Sequence, residues 1–368
     1  HIQTAAAGIL ASAELFKITK NEKYMLTAVE LSEFVTASQQ KVVPDWDIPI
    51  RGFFYTTPEH KQILHYQHRG HEQAAIVALH ELIKLFPLHT NWSSWYMTIV
   101  LHSEYMEHIA SYTQPYGMIP AGIYDLNESD KASYRDQVLS GIKLDERYYL
   151  RLFPVWYDMR GNSGTVLSQT KSISIAAKLR RKPSLKHLAE QQLYWTVGCN
   201  PFGQSLMYGE GYDYAPQYTA TSGDIAGSLP VGIQTNIHRD VPYWPAQNCY
   251  NYKEVWVHPS SRWLWLMDDH YKPDGIDQDQ DQDQLISTKV TVFGDKLLLE
   301  IESAENVTVT VYMYNLAHEE LSNTIVTIDL SGRYKLEAQV INPHEPWLFV
   351  IIPDGQLTSS KEIIGNLN

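Results

Sequence analysis

Residues 250 to 267 read YNYKEVWVHPSSRWLWLM, and within them one carboxyl, Glu254, stands among Tyr250, Tyr252, Trp256, Trp263 and Trp265. Aromatic walls strip water from a carboxyl, and lost hydration disfavours its charged form, so such a group is suited to donate a proton near neutral pH. The same rings offer flat faces on which sugars stack. The chemistry this pattern points to is acid-catalysed cleavage of a carbohydrate.

Three further groups of residues could serve that chemistry. The run HYQHRGHEQ places His65, His68, Arg69, His71 and Glu72 ahead of a helix. His68 and Arg69 are read as cleft residues that hydrogen-bond sugar hydroxyls or a carboxylate, whereas His71 and Glu72 suit a first helical turn. Arg151, Arg160, Gly161 and Asn162 cluster at a second helix entrance, where unpaired backbone N–H groups are available, and Arg160 is assigned to the substrate. The aromatic residues Tyr208, Tyr212, Tyr218, Tyr243, Trp244 and Tyr252 are expected to contact sugar, although part of this set must pack a core. Asp213, Asp224 and Glu210 are the loop carboxylates that could act as a base, but such residues more often shape turns. No His pair has helical spacing with a third ligand in view, so neither a metal nor a cofactor is expected.

The elements that must position these residues follow from periodicity. Apolar spacings of three and four predict helices over residues 2 to 19 and 22 to 38, joined at Lys20 and Asn21. A second pair runs from Gly70 to Phe86 and from Trp92 to about Tyr112. A third runs from about Asn162 to Arg181 and from Pro183 to Val197, with Pro183 suited to a first helical turn. A last helical segment covers 254 to 269. Long aromatic and glycine-rich loops lie between the pairs, the longest from Asn200 to about Asn251, and loops of that length inside a domain are usually functional. That longest loop is expected to form much of a cleft floor. Residues 271 to 285 are a polar Asp/Gln linker; Asp277, Asp279, Asp281 and Asp283 alternate there as in a calcium loop, without its Gly and distal Glu. From residue 286 the pattern becomes alternation in five stretches, which predicts a small antiparallel β-sandwich over 286–368.

Composition sets the outer bounds. A chain of 368 residues exceeds what one core usually organises. A net charge of -13 without basic runs opposes nucleic-acid binding, and 10 Trp with 24 Tyr fit a glycan partner better. Cys199 and Cys249 allow at most one disulfide. No apolar stretch reaches membrane-spanning length.

Two segments carry a resemblance. Residues 188 to 213, LAEQQLYWTVGCNPFGQSLMYGEGYD, resemble the late-barrel helix and following loop of glycoside hydrolase family 9, with its Leu-Gly-x-Asn-Pro stretch. Residues 247 to 267, QNCYNYKEVWVHPSSRWLWLM, resemble that family's final catalytic segment, so Glu254 takes the place of the proton-donating glutamate. The likeness is to the divergent bacterial six-hairpin branch. There are departures: the His-His-Arg motif is replaced by QYTATSGDIAGSLPVGI, Lys253 stands where Asn precedes the acid, and the Asp-Ala-Gly-Asp motif bearing the catalytic base is missing. The resemblance implies an α/α toroid, a six-hairpin barrel whose C-terminal portion is residues 1 to 270 and of which about four hairpins are visible. It implies an inverting glycoside hydrolase acting on an oligosaccharide or polysaccharide, with Glu254 as acid. The base would lie in a missing upstream segment, and an upstream fragment of the same protein or an oligomer partner is the expected partner. An exported location is expected. A polysaccharide lyase of uronic-acid glycans and a non-catalytic glycan-binding protein are the other classes the pattern admits.

Overall fold

A computed structural model describes residues 1–65, 71–155, 161–219, 223–236, 239–270, 286–293, 296–303, 306–315, 321–330, 332–339, 347–353 and 361–365. The chain divides into one unit of His1–Phe86, Ser94–Ala177 and Lys182–His270, and a second of Pro87–Ser93, Lys178–Arg181 and Tyr271–Asn368. Two short segments on the helical side of the expected boundary at 270 thus group with the second unit. The predicted linker lies outside the described residues.

The first unit begins with α1 (Ile2–Thr19) and α2 (Glu22–Ala37). Lys20 takes the left-handed conformation that ends α1, and Asn21 Oδ1 accepts the Lys23 N–H at 3.0 Å to begin α2. Chain reversal therefore needs only those two residues. Ile2, Ala6, Ile9 and Ala13 of α1 are fully buried. Helix α3 (Ala74–Leu85) packs on α1, where Glu81 pairs with Lys17, and the indole N–H of Trp95 in α4 (Trp92–Ala110) donates to Ser32 Oγ of α2 at 2.8 Å. The chain continues through β1 (Gly122–Asp125), α5 (Ala132–Leu139), β2 (Ile142–Lys143) and β3 (Tyr148–Arg151). These strands form a small antiparallel sheet in the order β1-β3-β2. Next come α6 (Ser163–Arg180) and α7 (Pro183–Thr196), then the hairpin of β4 (Gln234–Asn236) and β5 (Arg239–Tyr243), and finally α8 (Tyr250–Lys253) and α9 (Val257–His270). Among the described residues no helix is long and apolar enough to cross a membrane.

Two histidines in this unit link packing to pH. His102 is wholly buried beneath Phe54 and Tyr105, and burial pushes its imidazolium down to about 4; burial likewise holds His80 at about 4. The unfolded value lies near 6.5, so their stabilising contribution is fully present above it and is lost as pH falls towards the folded value. We expect acidification from neutrality to ~pH 5 to cost about 2 kcal/mol per histidine. Urea midpoints at the two pH values measure this. His102→Gln should lower stability at neutral pH yet flatten the slope, and an unchanged midpoint on acidification would contradict it.

The second unit has two antiparallel sheets. The strands are β6 (Ile286–Phe293), β7 (Lys296–Ser303), β8 (Val307–Asn315), β9 (Leu321–Leu330), β10 (Arg333–Gln339), β11 (Trp347–Pro353) and β12 (Lys361–Gly365). They are ordered β10-β7-β6 and β12-β11-β8-β9. Alternate residues point to one face, and those of both sheets form one apolar cluster: Leu297, Leu299 and Ile301 from the first, Val309, Val311, Phe349 and Ile351 from the second. Sequence alternation suggested five strands. The stretch taken as the first of them is a hairpin, Phe293 pairing with Lys296, and β12 was not foreseen.

Candidate active site

The site is built from backbone before side chains. Residues 229 to 233 form a spine in the first unit, held by backbone hydrogen bonds on two sides. On one side, Val231 N donates to Glu254 O at 2.8 Å, Gly232 N to Tyr252 O at 3.0 Å, and Trp256 N to Leu229 O at 3.1 Å. On the other, Asn162 N donates to Ile233 O at 3.0 Å and Ser163 N to Val231 O at 3.1 Å, which ties the spine to the start of α6. Tyr218 N also reaches Lys253 O at 2.8 Å, so the segment bearing Glu254 is held along both edges. This part of the long loop is held by backbone pairing.

That close approach depends on two glycines. A Cβ on Gly161 would lie 2.2 Å from Gly232 O, and one on Gly232, whose φ is +108°, would lie 2.1 Å from Ser163 Oγ. Both distances are far inside contact range, and the positive φ adds strain for any other residue. Gly232→Ala should therefore lower stability by roughly 2 to 4 kcal/mol. Thermal unfolding tests it, and a melting curve like that of the parent chain would refute the spine as a packing constraint.

Glu254 ends α8 in an extended conformation, φ -61° and ψ 129°, and continues as residues 255 and 256. In extended backbone, residues two apart share a face. Trp256 accordingly turns its indole back, and its Nε1–H donates to Glu254 Oε2 at 2.8 Å. Glu254 is half-buried. Ser260 fixes the segment to α9, accepting the Leu229 N–H at 3.2 Å and donating to Trp256 O at 3.1 Å. Lys253 is 1 % exposed, donates to Ala246 O at 3.1 Å and lies 5.2 Å over the Trp244 ring; burial pushes its ammonium below the usual lysine range. It faces away from solvent and supports the segment.

A polar seam leads away from the carboxyl. Trp256 meets the His258 ring edge-on at 6.2 Å, His258 meets His71 at 6.5 Å, and His71 Nδ1 accepts from Arg262 Nη2 at 3.3 Å. Burial pulls the Arg262 guanidinium down while nearby Glu72 pulls it back up. The segment of residues 71 and 72, read from sequence as a helix start, is thus brought beside α9.

Other expectations divide. Tyr212 is fully exposed, Tyr218 and Tyr243 are exposed faces, and Tyr208 is half-buried with its hydroxyl donating to Asp224 Oδ2 at 2.7 Å. Trp244 and Tyr252 are corrected: both are 8 % exposed and belong to an apolar cluster with Phe153, Leu229 and Leu266, so they pack the floor and are not open stacking faces. Arg151 is wholly buried against Asp240 and is not a cleft residue. Asp213 accepts from Gln204 Nε2 at 3.1 Å in exposed loop. His68, Arg69 and Arg160, and the alternating aspartates at 277 to 283, lie outside the described residues. One group the sequence did not single out is Glu128, which accepts from His65 Nε2 at 2.7 Å, from Tyr134 Oη at 2.8 Å and from Gln62. Burial would push that carboxyl up, but these donors hold it below its ordinary value. Only folding joins these residues, so no local sequence signal could have found them.

No family model matches the chain, and no curated protein does. Among solved structures it is similar to the cellulase Cel9M of C. cellulolyticum, at 14% identity and a TM-score of 0.41 over 71% of this chain and 48% of that one. The same cellulase in complex with cellobiose gives 15% identity and a TM-score of 0.39 over 71% and 49%. A glycosyl hydrolase family 88 protein from Bacteroides vulgatus gives 14% and 0.35 over 73% and 61%. The chain spans about half the length of the cellulase and 61% of the family 88 protein.

Proposed function

We propose that the chain is the C-terminal portion of a six-hairpin, family 9-like glycosidase with an appended β-sandwich, and that it cleaves glycosidic bonds with inversion. The observation that carries this reading is Glu254: a half-buried carboxyl on a segment clamped at both edges, one oxygen held by an indole, with the exposed rings of Tyr218 and Tyr250 at its flank. In the proposed step the Glu254 proton passes to the glycosidic oxygen as the bond from that oxygen to the anomeric carbon breaks, its electron pair staying on the leaving oxygen. A water attacks the opposite face and gives its proton to a carboxylate about 6.5–9.5 Å from the acid. Asp213 and Asp224 are each engaged by a neighbouring side chain. The base is proposed to come from an upstream segment, as the resemblance implies. A net charge of -13 favours a neutral or mildly acidic oligosaccharide over a sulfated one, and the enzyme is proposed to be exported.

The test is digestion of a glycan panel by the full-length protein, reading reducing ends, anomeric configuration and ultraviolet absorbance together. Inverted products support the reading. Unsaturated uronides would transfer it to a lyase, and no cleavage of any glycan would leave a binding protein.

A further inference from the structure

The hydrogen bond between Trp256 and Glu254 does more than fill space. An indole N–H can donate but never accept. Oε2 of Glu254, which takes that N–H at 2.8 Å, must therefore remain an acceptor in both protonation states. The carbonyl oxygen of a carboxylic acid accepts better than its hydroxyl oxygen, so this contact favours a proton on Oε1. Two backbone contacts and one side chain fix the pair: Trp256 N on Leu229 O at 3.1 Å, Glu254 O beneath Val231 N at 2.8 Å, and the Ser260 hydroxyl on Trp256 O at 3.1 Å. His258 meets the indole edge-on at 6.2 Å. Because residues 254 and 256 lie on one face of extended chain, backbone geometry brings the donor to the acid.

We infer that Trp256 is a positioning residue that selects Oε1 of Glu254 as the proton-delivering oxygen. The inference rests on the proposed role of Glu254 as general acid. Proton delivery from Oε1 leaves the carboxylate charge shared with Oε2, where the indole dipole already points, so the bond strengthens as the proton departs. No other group is required for the step to balance: one proton leaves Oε1, and the leaving-group oxygen gains it.

Two measurements test this. In protein labelled with ¹⁵N-tryptophan, the indole cross-peak missing from Trp256→Phe belongs to Trp256. It should shift in Glu254→Gln further than the other indole peaks, and an unmoved peak would overturn the contact without bearing on Glu254 as the acid. Hydrolysis is then compared on gluco-, xylo- and galacturono-oligosaccharides, whose leaving groups need protonation, and on 2,4-dinitrophenyl glycosides of the same sugars, which do not. Trp256→Phe should lower kcat roughly tenfold on the oligosaccharides with KM little changed. It should spare the dinitrophenyl glycosides. Equal loss on both substrate types would mean a structural role and overturn the inference. Full activity in Trp256→Phe beside a crippled Glu254→Gln would overturn the inference alone, whereas an active Glu254→Gln would remove the reading on which it rests.

Discussion

Glu254→Gln is expected to lose about 10² or more in kcat on a substrate with a poor leaving group, because the amide cannot protonate the departing oxygen. The fold should survive. Gln fills the same volume, and its amide oxygen can still accept the Trp256 N–H that now meets Oε2. The informative comparison is therefore between rate and melting temperature in one variant. Loss of rate with an unchanged melting curve assigns the effect to proton donation. Near parental turnover would sink the assignment, and loss of both would mean that the carboxyl holds the segment together instead.

The largest effect on stability is expected at Asp240→Ala. Arg151 is 0% exposed, and its Nη2 lies 3.2 Å from Asp240 Oδ1; the same carboxylate accepts the backbone N–H groups of Leu152 at 2.6 Å and Phe153 at 3.0 Å. Desolvation opposes both charges, raising the Asp240 carboxyl and lowering the Arg151 guanidinium, and each offsets that penalty for the other. Removing the carboxylate leaves a buried cation and two backbone donors without their acceptor. A cost of about 3–5 kcal/mol follows. Denaturant titration measures it, and replacing both residues together, Arg151→Met with Asp240→Leu, should cost less than Asp240→Ala alone. Equal losses would argue that the pair carries no such coupling.

Much of the helical part was legible because a single stripe of apolar residues at spacings of three and four has few other meanings. The first pair, read at 2 to 19 and 22 to 38, is observed as Ile2–Thr19 and Glu22–Ala37. Alternation was read correctly as strand but without its reversals. Residues 289 to 303 keep the pattern on both sides of a tight turn, so one strand was inferred where β6 and β7 pair. The sheet of β1, β2 and β3 was missed because its strands are short, and β1 pairs with a strand distant in sequence. Within the candidate site, local composition singles out Glu254 among its aromatic neighbours, and the structure adds the Trp256 hydrogen bond to it. Trp244 and Tyr252 could not be sorted into floor or groove, since an aromatic side chain of one type fills either role and only burial decides. Arg151 illustrates the same limit: beside a helix entrance it reads as a ligand, yet its partner lies in β5.

The spine of residues 229 to 233 also bears on how the site comes into being. Each of its pairings joins segments far apart in the chain, the start of α6 on one side and the segment bearing Glu254 on the other. Closing such loops costs entropy before any contact is gained, so non-local pairings of this kind form late in folding. A chain that has already built its helices would still lack a placed Glu254. Recovery of the proposed activity on refolding should accordingly lag behind recovery of helical signal, which would make turnover the stricter measure of the native state.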